Sequence, residues 1–132
     1  MYKRQIEGIK FDTKQKISKQ AIKLLEALNS RKENMKEQNK WTEAEEIVYQ
    51  NWYNDIVNKL EHIGITILNP INEPADLYIG YVNVVEANLE GKKDPDNIEV
   101  ITGVIKLGAY DKNTKLSLVE VDVAIEYNRR KS

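Results

Sequence analysis

A chain of 132 residues, 41% of them hydrophobic, with a net charge of -1, is long enough for one domain or two small units sharing a core. Its charge balance gives no reason to expect nucleic acid or an anionic membrane as a partner. The lack of cysteine excludes disulfides, thiol nucleophiles and thiolate metal sites, and fits a reducing cytoplasm.

No apolar run approaches ~20 residues, so no segment reads as a membrane span. The basic start MYKRQIEGIKFD lacks the apolar stretch of a signal peptide. The composition changes near residue 64. Everything before it suits helix or loop and contains no proline, whereas all three prolines and most β-branched residues follow. The expected organisation is a flexible or partly packed segment over 1–12, a helical region over 13–63 and a β domain over 64–132 that ends in a basic tail.

In the first segment Ile6, Ile9 and Phe11 can pack, although Gly8 weakens a helix there. Asp12 or Thr13 can cap the helix that follows. Its pattern runs to about Asn39. Ile17, Ala21, Leu24 and Leu28 step by four, three and four, Met35 lies a heptad beyond, and Ile22 and Leu25 widen the stripe, which is the pattern of a bundle face. The polar stretch from Asn29 to Lys40 reads as either an exposed helical extension or a loop.

Thr42 to Glu45, TEAE, has the form of a capping box. The Thr42 hydroxyl accepts from the Glu45 N–H while the Glu45 carboxylate reaches back. Glu43, Glu45 and Glu46 also suit the positive end of the helix dipole, which accounts for the acidic cluster without a ligand. The helix runs to about Ile63 and stops at Gly64. Its stripe is Tyr49, Tyr53, Ile56, Leu60 and Ile63, flanked by Ile47, Val48, Trp52 and Val57. Two such helices form a hairpin with more apolar surface than it can cover. Pairing of two copies into a four-helix bundle is the simplest remedy, with Ile17, Leu24, Leu28, Tyr49, Trp52, Tyr53, Ile56 and Leu60 at the interface.

After Gly64, ITIL reads as a strand and NPINEP as a loop whose prolines cannot join a ladder. LYIGYVNVVEA reads as a second strand, NLEGKKDPDN as a polar turn, IEVITGVIKL as a third strand interrupted by Gly103, and GAYDKNTK as a hairpin loop. LSLVEVDVAIEYN reads as the last strand, in which Val119, Val121, Val123, Ile125 and Tyr127 alternate with Glu120, Asp122, Ala124 and Glu126 to give one buried and one wet face. RRKS reads as a solvated tail. The fold class is therefore α+β, a helical hairpin followed by a small antiparallel sheet of four to six strands. The glycine at 103 reads as a bulge or bend.

Signals for chemistry are sparse. His62, the only histidine, suits a helix C-terminus and lacks the partners that acid–base or metal chemistry needs. No dinucleotide fingerprint, P-loop or nucleophile elbow is present. The carboxylates fall on wet faces, and Trp41, Trp52 and the tyrosines read as core or interface. The expectation is a protein without catalytic, metal or cofactor residues.

The junction NDIVNKLEHIGITILNP, followed by NEPADLYIGYV, resembles the GrpE family of nucleotide exchange factors, where the last bundle helix enters the β domain. Pro74, Asp76 and Leu77 match in order. Tyr78 stands where the family usually has His and Gly80 where it has Ala. Gly103 matches a glycine that an aromatic residue normally follows, and here Val104 follows. The closing pattern corresponds to Leu116, Ser117, Leu118, Val119, Glu120, Val121, Asp122 and Val123, without the family's Arg. The loop before Leu116 is longer, and the long N-terminal stalk is nearly absent.

The resemblance spans about residues 15 to 127 and is best after 54. It implies a homodimeric cytoplasmic co-chaperone of protein folding and the stress response. Its β wing would dock on the nucleotide-binding domain of a DnaK-type chaperone and release ADP. Pro74, Asp76, Tyr78, Gly103, Val104, Ser117, Val119 and Val121 would form the chaperone-binding surface. A diverged dimeric interaction module without exchange activity is the alternative.

Overall fold

The structure is a computed structural model that describes residues 10–129. Positions 1–9, with Ile6 and Ile9, and the last three residues of the RRKS tail lie outside the described residues. The chain is α+β, and its described residues form two α-helices followed by six short strands in two three-stranded sheets. By its contacts it divides into two compact units. One comprises the described residues up to Thr66 together with Asp111–Leu116, and the other Ile67–Tyr110 together with the described residues from Ser117 onward. The hairpin tip at 111–116 thus belongs with the helices.

Helix α1 spans Phe11–Glu37. It starts earlier than the Asp12 or Thr13 caps imply. Lys10 holds the N-cap with extended backbone and no side-chain bond, and Asp12 falls in the first turn, where its charge suits the dipole. The polar stretch after Asn29 is helix down to Glu37. It closes with the Lys40 N–H donating to the Met35 carbonyl at 2.8 Å and Asn39 in the left-handed region at φ 57°. That conformation ends many helices, and asparagine tolerates it better than most residues.

Helix α2 spans Glu43–His62. The Glu45 N–H donates to the Thr42 hydroxyl at 3.2 Å, as the TEAE pattern predicts. The reciprocal half of the box is replaced, because the Glu45 carboxylate takes Arg31 of α1 at 3.0 Å. A charged partner across the hairpin outcompetes a neutral backbone N–H. Gly64 follows α2 at φ +83°, a conformation that L side chains adopt only with strain.

The buried face of α1 is a correction to the sequence reading. Lys14, Ser18, Ile22 and Leu25 are the buried positions, while Leu24 of the expected stripe is 51% exposed. Two of the four buried residues are polar, so counting apolar residues selects the neighbouring stripe. Lys14 is buried as an ion pair, with its Nζ 3.2 Å from Asp111 Oδ1. The same oxygen accepts from the N–H of Asn113 at 2.9 Å and of Thr114 at 3.4 Å. Burial pushes the Asp111 carboxyl up, but these donors and the ammonium outweigh it and hold the group below its ordinary value of 3.8.

Strand β1 is Ile65–Leu68, as ITIL predicts. The stretch LYIGYVNVVEA divides. Leu77 and Tyr78 close a 3-10 turn over Ala75–Tyr78, Gly80 takes φ +90°, and strand β2 is Val82–Asn88. Strand β3 is Asn97–Lys106. GAYDKNTK is not simply a loop, since Gly108–Asp111 forms strand β4. The long final strand breaks at Glu120 into β5, Ser117–Val119, and β6, Val121–Arg129.

The first sheet has the order β1-β4-β5 and the second β2-β6-β3. β3 and β6 run antiparallel, but β2 and β6 run parallel, so the expected all-antiparallel sheet holds only in part. β2 and β3 are consecutive in the chain yet lie on opposite sides of β6. The alternation in β6 is as expected. Val121 and Val123 have no exposure and Ile125 has 5%, and with Ala75 and Ile101 they form the β core, against which Leu68, Tyr78, Val82 and Val104 pack.

The register shifts between Ile101 and Gly103, so the interruption is a bulge with Thr102 as the extra residue. Gly103 itself is not forced by space, because a Cβ there would lie 3.5 Å from Ala124 Cβ. Gly108 is forced, because a Cβ there would lie 2.6 Å from both the Val119 carbonyl oxygen and Val121 Cγ2.

Candidate docking surfaces

The hairpin is closed at its loop end by charges and rings. Lys32 Nζ lies 2.8 Å from Glu46 Oε1, 4.5 Å from the Tyr49 ring centroid and 5.8 Å from that of Trp41. Trp41 and Tyr49 meet edge to face at 6.0 Å, and Tyr49 and Tyr53 stack obliquely at 5.8 Å. The Tyr49 hydroxyl donates to Asn29 Oδ1 at 3.5 Å. The hydrogen bond between Lys32 and Glu46 raises the lysine pKa and lowers the glutamate's, against a smaller opposing effect of burial. Burial raises the Tyr53 phenol, and Tyr49 adds to the shift.

This network positions an apolar groove of about 200 Å³ lined by Leu28, Arg31, Glu45, Val48, Tyr49 and Trp52. It brings together three of the expected interface residues, Leu28, Tyr49 and Trp52. Trp52 is 60% exposed, and Leu24, Ile47 and Val48 are exposed as well. Ile17, Tyr53 and Ile56 are half-buried. Leu60 has only 5% exposure and belongs to the interior of the chain. The sequence reading missed the Arg31–Glu45 rim. Its signal is a basic residue near the end of one helix facing an acidic first turn on the next, and it becomes readable only once the hairpin register is known.

The expected chaperone-binding residues are distributed over the loop and 3-10 turn before β2 and over strands β3, β5 and β6. Pro74 is bridged to Val100 of β3. Asp76 is exposed in the 3-10 turn. Tyr78 packs against the β core, and its phenol is raised by burial, then by Glu73 and Tyr110. Gly103 pairs with Ala124 and Val104 with Val123. Ser117 and Val119 are half-buried on β5, paired with Tyr110 and Ala109. Val121 has no exposure, so it supports the sheet from within.

A groove of about 350 Å³ in the β unit is lined by Asn72, Glu73 and Pro74 from the loop, Ile98, Val100 and Thr102 from β3, and Asn128 and Arg129 from β6. Only Pro74 of the expected set lies there. Ile98 and Val100 reach one side of β3 by simple alternation, but no sequence signal places the Asn72–Pro74 loop beside them.

Among the described residues no group of three or more His, Cys, Asp or Glu side chains is placed to hold a metal ion, and no helix is long and apolar enough to cross a membrane. No family model, no curated protein and no solved structure matches the chain.

Proposed function

We propose that this protein is a docking module that pairs through its helical hairpin and presents a β unit to a partner, and that the partner is the nucleotide-binding domain of a DnaK-type chaperone. The observation that carries the pairing is the exposed apolar face of the hairpin, where Leu24, Val48 and Trp52 are all exposed beside the groove that Leu28 and Tyr49 line. Exposed large side chains gathered at one place mark interaction sites. The support for the chaperone as partner is the order of elements, helix, left-handed Gly64 and short strand, together with the Pro74–Asp76 loop that resembles the GrpE family. A factor of this kind binds the open nucleotide cleft better than the closed one, and so weakens nucleotide affinity reciprocally.

The test follows labelled ADP leaving a DnaK-type chaperone with and without this protein. Faster release is the expected result, and unchanged release at saturating concentration rejects the exchange reading. A second reading, the same paired module serving another protein, is favoured by the burial of Val121 and the inward packing of Tyr78 and Val104. It predicts pairing without any effect on ADP release.

A further inference from the structure

We propose that the free edge of β2 is a strand-docking site for an extended segment of another protein in which basic and apolar side chains alternate. This inference does not rest on the exchange reading.

The second sheet has two outer strands, and they are finished differently. The outer edge of β3 is closed near its middle. The Ile101 N–H donates to the Glu73 carbonyl at 2.9 Å, and the Asn72 N–H donates to the Ile101 carbonyl at 2.7 Å. Pro74 is bridged to Val100, and β3 ends on Lys106. Covering loops, proline and lysine are the usual means of preventing edge pairing.

β2 lacks these means. Among the described residues it has β6 as its only neighbouring strand, its sequence VNVVEAN contains neither lysine nor proline, and residues 83–88 are all exposed. Val84 and Val85 are 44% and 47% exposed. A bulge at Val85 is its one irregularity.

Charge selects the occupant. Cross-strand partners share a face, so Asn83 with Asp122, Glu86 with Ala124, and Asn88 with Glu126 lie on the face away from the core. Asn83 Nδ2 donates to Asp122 Oδ1 at 3.1 Å. Along β2 and β6 this face carries Glu86, Asp122 and Glu126 and no cation before Arg129. On β3, Lys106 pairs with Asp122 on the side of β6 away from β2, so Glu86 and Glu126 are the carboxylates without a cross-strand cation. A strand added beside β2 sets every second side chain next to that acidic face, where lysine or arginine is favoured. The others lie beside Val84 and Ala87, where apolar groups are favoured. A second copy of β2 would bring its own Glu86 to this face and no cation, so pairing of two copies is disfavoured.

The test titrates the full chain, labelled for amide NMR, with an acetylated and amidated heptapeptide of alternating lysine and valine. The expected result is saturable binding, with shifts and slowed amide exchange confined to Val82–Asn88 and the facing part of β6. Val85→Pro and, independently, Val85→Lys, each with unchanged circular dichroism, should weaken binding by about tenfold or more. Glu86→Lys should weaken it less, and a glutamate–valine heptapeptide should not bind. The proposal is overturned by any of four results: no binding at about 1 mM peptide, shifts centred on the helices, equal binding of a peptide whose alternate amides are N-methylated, or β2 protection that rises with the concentration of the chain alone, which would make a second copy the occupant.

Discussion

In the β unit, Ala75, Ile101, Val121, Val123 and Ile125 bury one continuous apolar cluster. In the helical unit the buried face of α1 is mixed in kind. Lys14 and Ser18 lie on the same row as Ile22 and Leu25, and much of the remaining apolar surface faces outward. The β unit is held by area removed from water, which is non-directional and tolerant of detail. The helical unit relies on a buried ion pair at one end and on Lys32, Glu46, Trp41 and Tyr49 at the other, all of which depend on geometry. The comparison teaches that an α+β chain can place its most specific contacts in the part with the least apolar core.

Breaking the ion pair is the sharpest way to test this difference. Asp111→Ala leaves the Lys14 ammonium buried without its partner and should cost about 3 kcal/mol in urea unfolding. Asp111→Asn, which keeps an acceptor for the Asn113 and Thr114 N–H groups, should cost less. A value for Asp111→Ala no larger than for an exposed carboxylate would show that the pair is not a fastener. The same pair sets a pH dependence. The folded carboxyl lies below 3.8, so its stabilisation is fully present above the ordinary carboxylate range and is lost as pH falls through the folded value. Acid titration of stability should therefore show a loss below that range that is absent in Asp111→Asn.

On the other side of the comparison, Ile101→Ala removes a fully buried side chain and should cost about 3 kcal/mol by cavity formation. If it costs under half of that, the β cluster repacks and the contrast weakens. Gly108→Ala forces a methyl group against Val119 and Val121 and should cost about 2 kcal/mol. Gly103→Ala, with room at Ala124, should change stability by about 0.5 kcal/mol or less. A large loss at Gly103 would mean that the bulge depends on glycine.

Leu24→Ser combined with Trp52→Ser is expected to leave helicity nearly unchanged, since both side chains are exposed. Light scattering on the parent chain should give twice 15.3 kDa, and the double variant should scatter as a single chain. A parent chain that already scatters as a single chain would reject pairing through the hairpin.

Where the sequence was readable, the reason is local. The span of α2 could be read from Thr42 and Gly64, because a cap hydroxyl and a left-handed glycine act within one turn. The inward row Val121, Val123 and Ile125 could be read from alternation, because a strand's faces follow from its own pleat. The residues expected at the chaperone surface were less legible. Tyr78 and Val104 sit inside or against a core whose composition depends on strands far away in sequence.

The amino-acid sequence by itself determined the α-then-β order, the two helices, the stop at Gly64 and the buried face of β6, all set by periodicity and by residues within a few positions of one another. Only the tertiary structure decided that β6 inserts between β2 and β3, that Lys14 is buried against Asp111, and that Glu45 gives up its capping role for Arg31. Each of these joins residues whose spacing along the chain carries no period, and their energies arise only when the fold brings the partners within a few ångströms.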